Sequence, residues 1–355
     1  MRKLELAKLQ PGMILARTLL NDNMIVILSE NTRLTTAHIT RLTFLGVPEV
    51  YVKDEYELNP NYQNVEAMIN RSNAFVAEYE EIISDARKIF EAASHNGSVP
   101  MDKVENLVDS SIMKSVHNSG VMDYLYELNH LATDEYQHCV RVSILAGVLA
   151  KWMELDRTEI REIVLAGFLH DIGKTKIDKK ILEKRFENLT PEEYDIYIEH
   201  PLAGHHLINH DPSLSEGIKL AILQHHERMD GSGFPFNAVG DDIHLYARII
   251  AVADLYDNIT TEREGARKET PFTALAQITK EMFTSLDPGA CVPFLTHVQQ
   301  VFIGSTVILN DKRRGRIIQY PRDFAAMPVV EINPETIINL NNEKELSIIE
   351  YNPKA

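Results

Sequence analysis

The chain has 355 residues, enough for two or three domains or for one large domain with appendages. It carries 52 acidic against 36 basic side chains, a formal net charge of −16, which argues against non-specific nucleic-acid binding and anionic membrane surfaces, because both depend on Lys and Arg meeting phosphate. Its two cysteines, Cys139 and Cys291, stand in no ligand-like spacing, no stretch approaches a membrane span, and the amino terminus has no apolar core of signal-peptide length. A reduced, soluble, cytoplasmic protein with no DNA partner is the expectation. An anionic substrate would need local positive charge, which clustered metal ions supply.

Residues 1–60 read as a small α+β domain. Met24–Leu28 and Val50–Val52 are short β-branched runs, and between them a helix is expected from about Thr36 to Leu45. Thr at its start, Gly46 just past its end and Pro48 beyond are start and stop signals. Nothing here looks catalytic, and a regulatory role is the expectation.

Residues 61–119 turn helical. Phe75, Tyr79, Ile82, Ala86 and Ile89 recur at three- and four-residue spacing, an apolar stripe that packs on a neighbour or on a second copy in a homodimer. Asn96-Gly97-Ser98-Val99-Pro100 breaks the pattern, and Lys103–Ser115 resumes it. This segment is expected to link, signal or dimerise.

Residues 120–300 read almost wholly as helices. Thr190-Pro191-Glu192-Glu193 offers an N-cap, a proline at the first helical position and a capping-box glutamate. His200-Pro201 marks a break, and a further helix should span Ala247–Thr260. After Val301 the period shortens: Ser305–Leu309, Gly315–Gln319, Val329–Ile332 and Ser347–Tyr351 suggest a small β-rich unit over 301–355.

Eight of the fourteen histidines fall between His138 and His226, within the helical region. Imidazole and carboxylate together are the ligand set for Fe, Mn or Zn. Asp134 and His138 are four apart and share a helix face, although such a pair alone is more often a surface ion pair. His170-Asp171 closes the apolar run Val164–Leu169, with Gly173 to turn the chain and Lys174 beyond it, in reach of a phosphate oxygen. His225-His226-Glu227 closes Ala221–Leu223 in the same way, and Asp230–Pro235 follows as an exposed loop. Asp254 sits on an otherwise apolar helix face, costly to bury unless paired or bound to metal. Asp257 is the less certain of the two. His205, His206 and His210 pair with no carboxylate motif and read as structural or solvent-facing.

Taken together, His170-Asp171-Ile172-Gly173-Lys174, His200-Pro201-xx-Gly204, His225-His226-Glu227-xx-Asp230-Gly231-x-Gly233-Phe234-Pro235 and Ala253-Asp254-xx-Asp257 resemble the HD-GYP domain, a branch of the HD metal-dependent phosphohydrolases. The resemblance covers Gly120–Gln300, and residues 1–60 look like a domain often found before it. It implies a mainly α fold: a helical bundle with a small α+β unit before it and a short β-rich tail. It also implies hydrolysis of cyclic di-GMP with two or three divalent metals, iron or manganese in the first place.

Carried over residue by residue, one metal would be held by His138, His170, Asp171 and Asp254, and the second by Asp171 as a bridge with His200, His225 and His226. Lys174 would stabilise charge on the phosphate. Arg263 resembles a phosphate-contacting arginine, and the next cation is displaced to Arg267 or Lys268. Asp134 stands where some relatives carry glutamate for a third metal; its shorter side chain favours two metals, and hence linear pGpG over GMP as product. Gly233-Phe234-Pro235 keeps the ring of the family's Gly-Tyr-Pro and loses the hydroxyl, which leaves contacts with a GGDEF-type or other signalling partner through Asp230–Pro235 in doubt. The competing readings are a phosphodiesterase of another cyclic dinucleotide, such as cyclic GMP-AMP, or of another nucleotide, and a receptor or scaffold that binds without cleaving.

Overall fold

The computed structural model describes residues 2–15, 19–20, 26–28, 32–52, 60–118, 120–128, 134–184, 186–261, 269–321 and 327–352. Met24, Ile25, Arg263, Arg267 and Lys268 lie outside the described residues. Contacts divide the chain into residues 1–74 and residues 75–354. Mainly helical architecture with a β-rich end is what the described residues show.

In the first unit, β1 (Arg2–Glu5) pairs antiparallel with β4 (Glu49–Val52), and β2 (Leu19–Leu20) with β3 (Val26–Leu28). The helix Thr36–Phe44 starts on Thr35, whose Oγ1 accepts from the His38 N–H while its own N–H donates to His38 Nδ1. Histidine thus fills the place that glutamate takes in the usual capping box. Gly46, at φ 64°, ends the helix as the sequence pattern requires. Leu15, Leu34, Leu42, Val50 and Val52 are its buried centre.

The second unit is built round one helix, Glu135–Trp152, in which every residue from His138 to Ala150 is buried. A helix covered on all sides has no polar face to show solvent. Its neighbours include Arg157–Leu169 and Leu245–Thr260. The stripe Phe75, Tyr79, Ile82, Ala86 and Ile89, on the helix Pro60–Asn96, belongs to the same core. Of the two expected neighbours for that stripe, the chain's own helices are the one it meets. Beyond Gly97 (φ 68°) the helix Met101–Leu107 runs through a π-helical turn, Val108–Ile112, into Met113–Val116.

The Thr190 capping box forms, with Pro191 in the first turn of the helix Pro191–Tyr197. Pro201 likewise opens the helix His200–Ile208, so the expected break is a helix start, where proline's missing N–H costs nothing. The carboxyl-terminal strands β5 (Thr306–Leu309), β6 (Arg314–Gln319), β7 (Val329–Asn333), β8 (Thr336–Asn339) and β9 (Ile348–Asn352) form one antiparallel sheet in the order β8-β7-β6-β5-β9. Sequence reading passed over β8, although Ile337-Ile338 after Asn333-Pro334-Glu335 is a turn followed by β-branched residues. Val307, Leu309, Ile317, Val330, Ile348 and Tyr351 are buried in the core that also holds Phe272 and Phe302. Among the described residues, no helix is long and apolar enough to cross a membrane.

Candidate metal centre

Four helix ends and one helix middle deliver the site. The helix Arg157–Leu169 stops on His170, with Asp171 next; the helix His200–Ile208 begins on His200; the helix Glu216–Gln224 stops on His225, with His226 next. Asp254 and Asp257 come from the middle of the helix Leu245–Thr260, and His138 from the start of Glu135–Trp152. Helix ends suit this work because the chain turns away there and leaves the side chain aimed along the axis.

Asp171 is the centre of the arrangement. Its Oδ1 lies 3.1 Å from His200 Nε2 and 3.5 Å from His225 Nε2. Its Oδ2 lies 3.3 Å from His170 Nε2 and 3.6 Å from His138 Nε2. Two groups able to hold a cation result, Asp171 with His200, His225 and His226, and Asp171 with His138 and His170. Asp254 stands beside the second, its Oδ1 3.0 Å from His138 Nε2 and accepting from Asn258 Nδ2 at 2.7 Å.

The imidazoles are held so that their Nε2 atoms face inward. His170 Nδ1 donates to the Gly167 carbonyl (2.8 Å), His200 Nδ1 to that of Tyr197 (2.7 Å) and His225 Nδ1 to that of Ile222 (2.8 Å). In the neutral ring a proton on Nδ1 leaves the lone pair on Nε2, the form that binds metal. Burial, only partly offset by Asp171, pushes His225 down to about 4, and burial beside His225 and His200 holds His226 well below the usual range. Both are therefore neutral at pH 7.

Whether a cation suits these residues can be judged from three buried atoms. His170 Nε2, Asp171 Oδ1 and His226 Nε2 are each shut off from solvent with no hydrogen-bond partner. Leaving such atoms unpaired is expensive. Divalent ions in the two groups would take all three at once, and the mixed nitrogen and oxygen donor set suits a transition metal. The residues fit.

Behind His138 lies a support that sequence reading missed. His138 Nδ1 is 2.8 Å from Asp257 Oδ2, and Arg141 grips Asp257 with Nε (2.7 Å) and a terminal nitrogen (2.9 Å). Burial disfavours a charge on Asp257, but Arg141 and His138 overcome that and lower it to about 2. Asp257, the less certain aspartate in the sequence, orients a candidate ligand. Arg141 had a signal, a charge three residues past His138 in an apolar run, but its partner is 116 residues away.

Gly173 also differs from expectation. It has no left-handed φ. A β-carbon there would lie 2.0 Å from the His200 carbonyl oxygen and 2.5 Å from the Gly204 nitrogen. Its work is close packing of the His170 turn against the helix that carries His200, and Gly204 is the other half of that contact.

Lys174 is buried, with Nζ donating to Asp171 Oδ2 (2.5 Å) and to Glu135 Oε1. Burial opposes its charge, but those carboxylates hold it well above the usual lysine range. Asp134 is exposed: Tyr136 donates to its Oδ2 (2.7 Å), and it belongs to neither group. His205, His206 and His210 are in neither group.

The loop after His226 is less open than expected. Phe234 stacks on the His226 ring at 4.6 Å between centroids, and Gly233 is buried. Glu227 shapes the loop, accepting from the Phe236 N–H (2.7 Å) and the Ala238 N–H (2.9 Å).

Residues 126–289 match the family model described as HD domain. A cyclic di-GMP phosphodiesterase of Pseudomonas aeruginosa is 30% identical over 244 residues, 69% of this chain and 58% of that protein. A 3'3'-cGAMP-specific phosphodiesterase of Vibrio cholerae is 28% identical over 190 residues, 53% of this chain and 36% of that protein. The chain thus spans less than two thirds of either relative. The solved structure of an HDG"Y"P protein from Bdellovibrio bacteriovorus superposes with a TM-score of 0.53 at 14% identity, covering 84% of this chain and 99% of that one. That likeness is one of fold.

Proposed function

We propose, from the premise that this chain belongs to the HD-domain family in its HD-GYP branch, that it is a metal-dependent phosphodiesterase of cyclic dinucleotides whose substrate is cyclic di-GMP. The observation that carries the reading is Asp171, with one oxygen turned to each of two groups of imidazoles. His138, His170, Asp171 and Asp254 would hold one divalent ion, and Asp171, His200, His225 and His226 the other. Bound there, such ions supply Lewis acidity to a phosphodiester and make water more acidic. Iron and manganese suit the donor set.

The chain's own residues do the rest. Lys174 sits at the edge of the centre with its charge assured, placed to meet negative charge growing on a non-bridging phosphate oxygen. Asp257 and Arg141 keep the His138 ring from turning. Phe234 walls off one side of His226. Asp134, outside both groups, favours two ions over three, and with two ions the reaction stops at linear pGpG.

The likeness to the Vibrio cholerae protein favours one second reading, cyclic GMP-AMP as substrate. The test is hydrolysis of cyclic di-GMP and 3'3'-cyclic GMP-AMP side by side, with protein loaded anaerobically with Fe(II) or Mn(II). Products are resolved by chromatography and metals counted in the same sample. Faster conversion of cyclic di-GMP, to pGpG, with two metals per chain supports the first reading; preference for cyclic GMP-AMP moves it to the second. Tight binding of either without turnover at full metal content would make the protein a receptor.

A further inference from the structure

Between Lys174 and His200 the chain builds a row of aromatic rings that the metal chemistry does not use. Tyr197 lies with its ring centroid 5.2 Å from that of His200, and Lys174 Nζ sits 5.5 Å from the same centroid. Phe186 packs edge-to-face on Tyr197 at 5.4 Å and on Tyr194 at 5.4 Å. Tyr194 and Tyr197 are three apart on one helix and share its face. The row begins at the metal centre and runs outward into solvent, where Phe186 is 49% exposed and Tyr194 38% exposed.

The rings pack on one another, yet Phe186 and Tyr194 keep part of their surface in solvent. Core residues are covered, and a contiguous exposed apolar surface usually marks a binding site. The row is also fixed in place. Lys184 Nζ bonds Glu193 Oε1 at 2.5 Å, tying the turn that bears Phe186 to the helix that bears the tyrosines, and the Thr190 capping box secures the start of that helix. A rigid, open aromatic face beside a phosphate-binding cation is the arrangement a nucleotide needs, with its phosphate at the charge and its base on the rings.

We propose that Phe186, Tyr194 and Tyr197 form a stacking platform for one purine base of the substrate while its phosphodiester lies at the metal centre. This rests on the reading of the chain as a cyclic dinucleotide phosphodiesterase. Phe186 is its central position, being the exposed ring that touches both others. Its role is to bind and place the base.

The experiment measures KM and kcat for cyclic di-GMP with the full chain loaded with Mn(II), comparing wild type with Phe186→Leu and Phe186→Tyr. Leucine keeps the apolar volume and loses the π-face; tyrosine keeps both. The expected result is a KM raised by roughly 5- to 150-fold in Phe186→Leu, the range for loss of one base-stacking contact. kcat should hold, as for a contact made equally in the ground and transition states, and Phe186→Tyr should restore KM. A Phe186→Leu protein with wild-type KM overturns the platform, as does one whose kcat falls with KM unchanged or whose loss Phe186→Tyr shares. Wild type that cleaves bis(p-nitrophenyl) phosphate but no cyclic dinucleotide would instead defeat the functional reading beneath it, a result distinct from turnover of cyclic di-GMP that ignores Phe186.

Discussion

Removing the Asp171 carboxylate takes a donor from both imidazole groups at once, whereas removing any one histidine takes a donor from one. Asp171→Ala should therefore lose both metals by elemental analysis and all detectable hydrolysis, while His226→Ala keeps the metal of the His138 group. Equal metal content in Asp171→Ala and wild type would sink the sharing. Asp257→Asn acts one layer out. It leaves the Arg141 guanidinium buried without its counter-charge, a loss of about 3–5 kcal/mol in stability, and it frees the His138 ring, so metal affinity should fall about 10–100-fold. Chemical denaturation and metal titration on the same preparation check both halves. The thiols give a contrary case: burial pushes Cys139 up to about 11 and Cys291 up to about 12. A thiol so far from ionising is a poor nucleophile, so a disulfide reagent at pH 8 should titrate neither in the native protein and both in denaturant.

At the scale of elements, the site depends on how closely two helix ends approach. Gly173→Ala puts a β-carbon 2.0 Å from the His200 carbonyl oxygen, and backbone, not a flexible tip, must move. We expect a loss at the upper end of the roughly 1–3 kcal/mol typical of overpacking, with activity falling further than stability because His200 is displaced. Thr190→Ala is the comparison: loss of its cap should cost about 1 kcal/mol with metal binding intact. Thermal unfolding and metal content for the pair separate a local cap from a contact that places a ligand. Much at this scale was legible, because caps and periodicity are local. Thr190, Pro191 and Glu193 announced their helix, and the doublets His170-Asp171 and His225-His226 announced helix ends. The role of Gly173 was not legible, since close approach is a relation between two segments and a glycine reads the same in a turn.

At the scale of the molecule, the carboxyl-terminal sheet is joined to the helices by a common core. Tyr351 on β9 donates to Asp123 Oδ1 at 2.6 Å, and its ring meets Phe302, Tyr126 and Phe272 at 5.0 to 5.7 Å between centroids. A chain ended after Gly304 would bare that surface, and it should be recovered aggregated or without a cooperative unfolding transition. A truncated protein that melts cooperatively and binds metal as wild type does would show that the sheet is an appendage. The stripe from Phe75 to Ile89 carries a related lesson. Its period showed that it must be covered, and only the packed helices showed by what.

The sequence by itself determined the donor set, the order in which it arrives and the helices that carry it, because ligand chemistry, capping and hydrophobic period are written in neighbouring residues. Tertiary structure decided which oxygen of Asp171 faces which imidazoles, that Arg141 and Asp257 stand behind His138, that Asp134 stays outside, and that Phe186 packs on Tyr197 beside His200. Each of those is a distance between segments separated along the chain, and distances of that kind are set only when the helices pack.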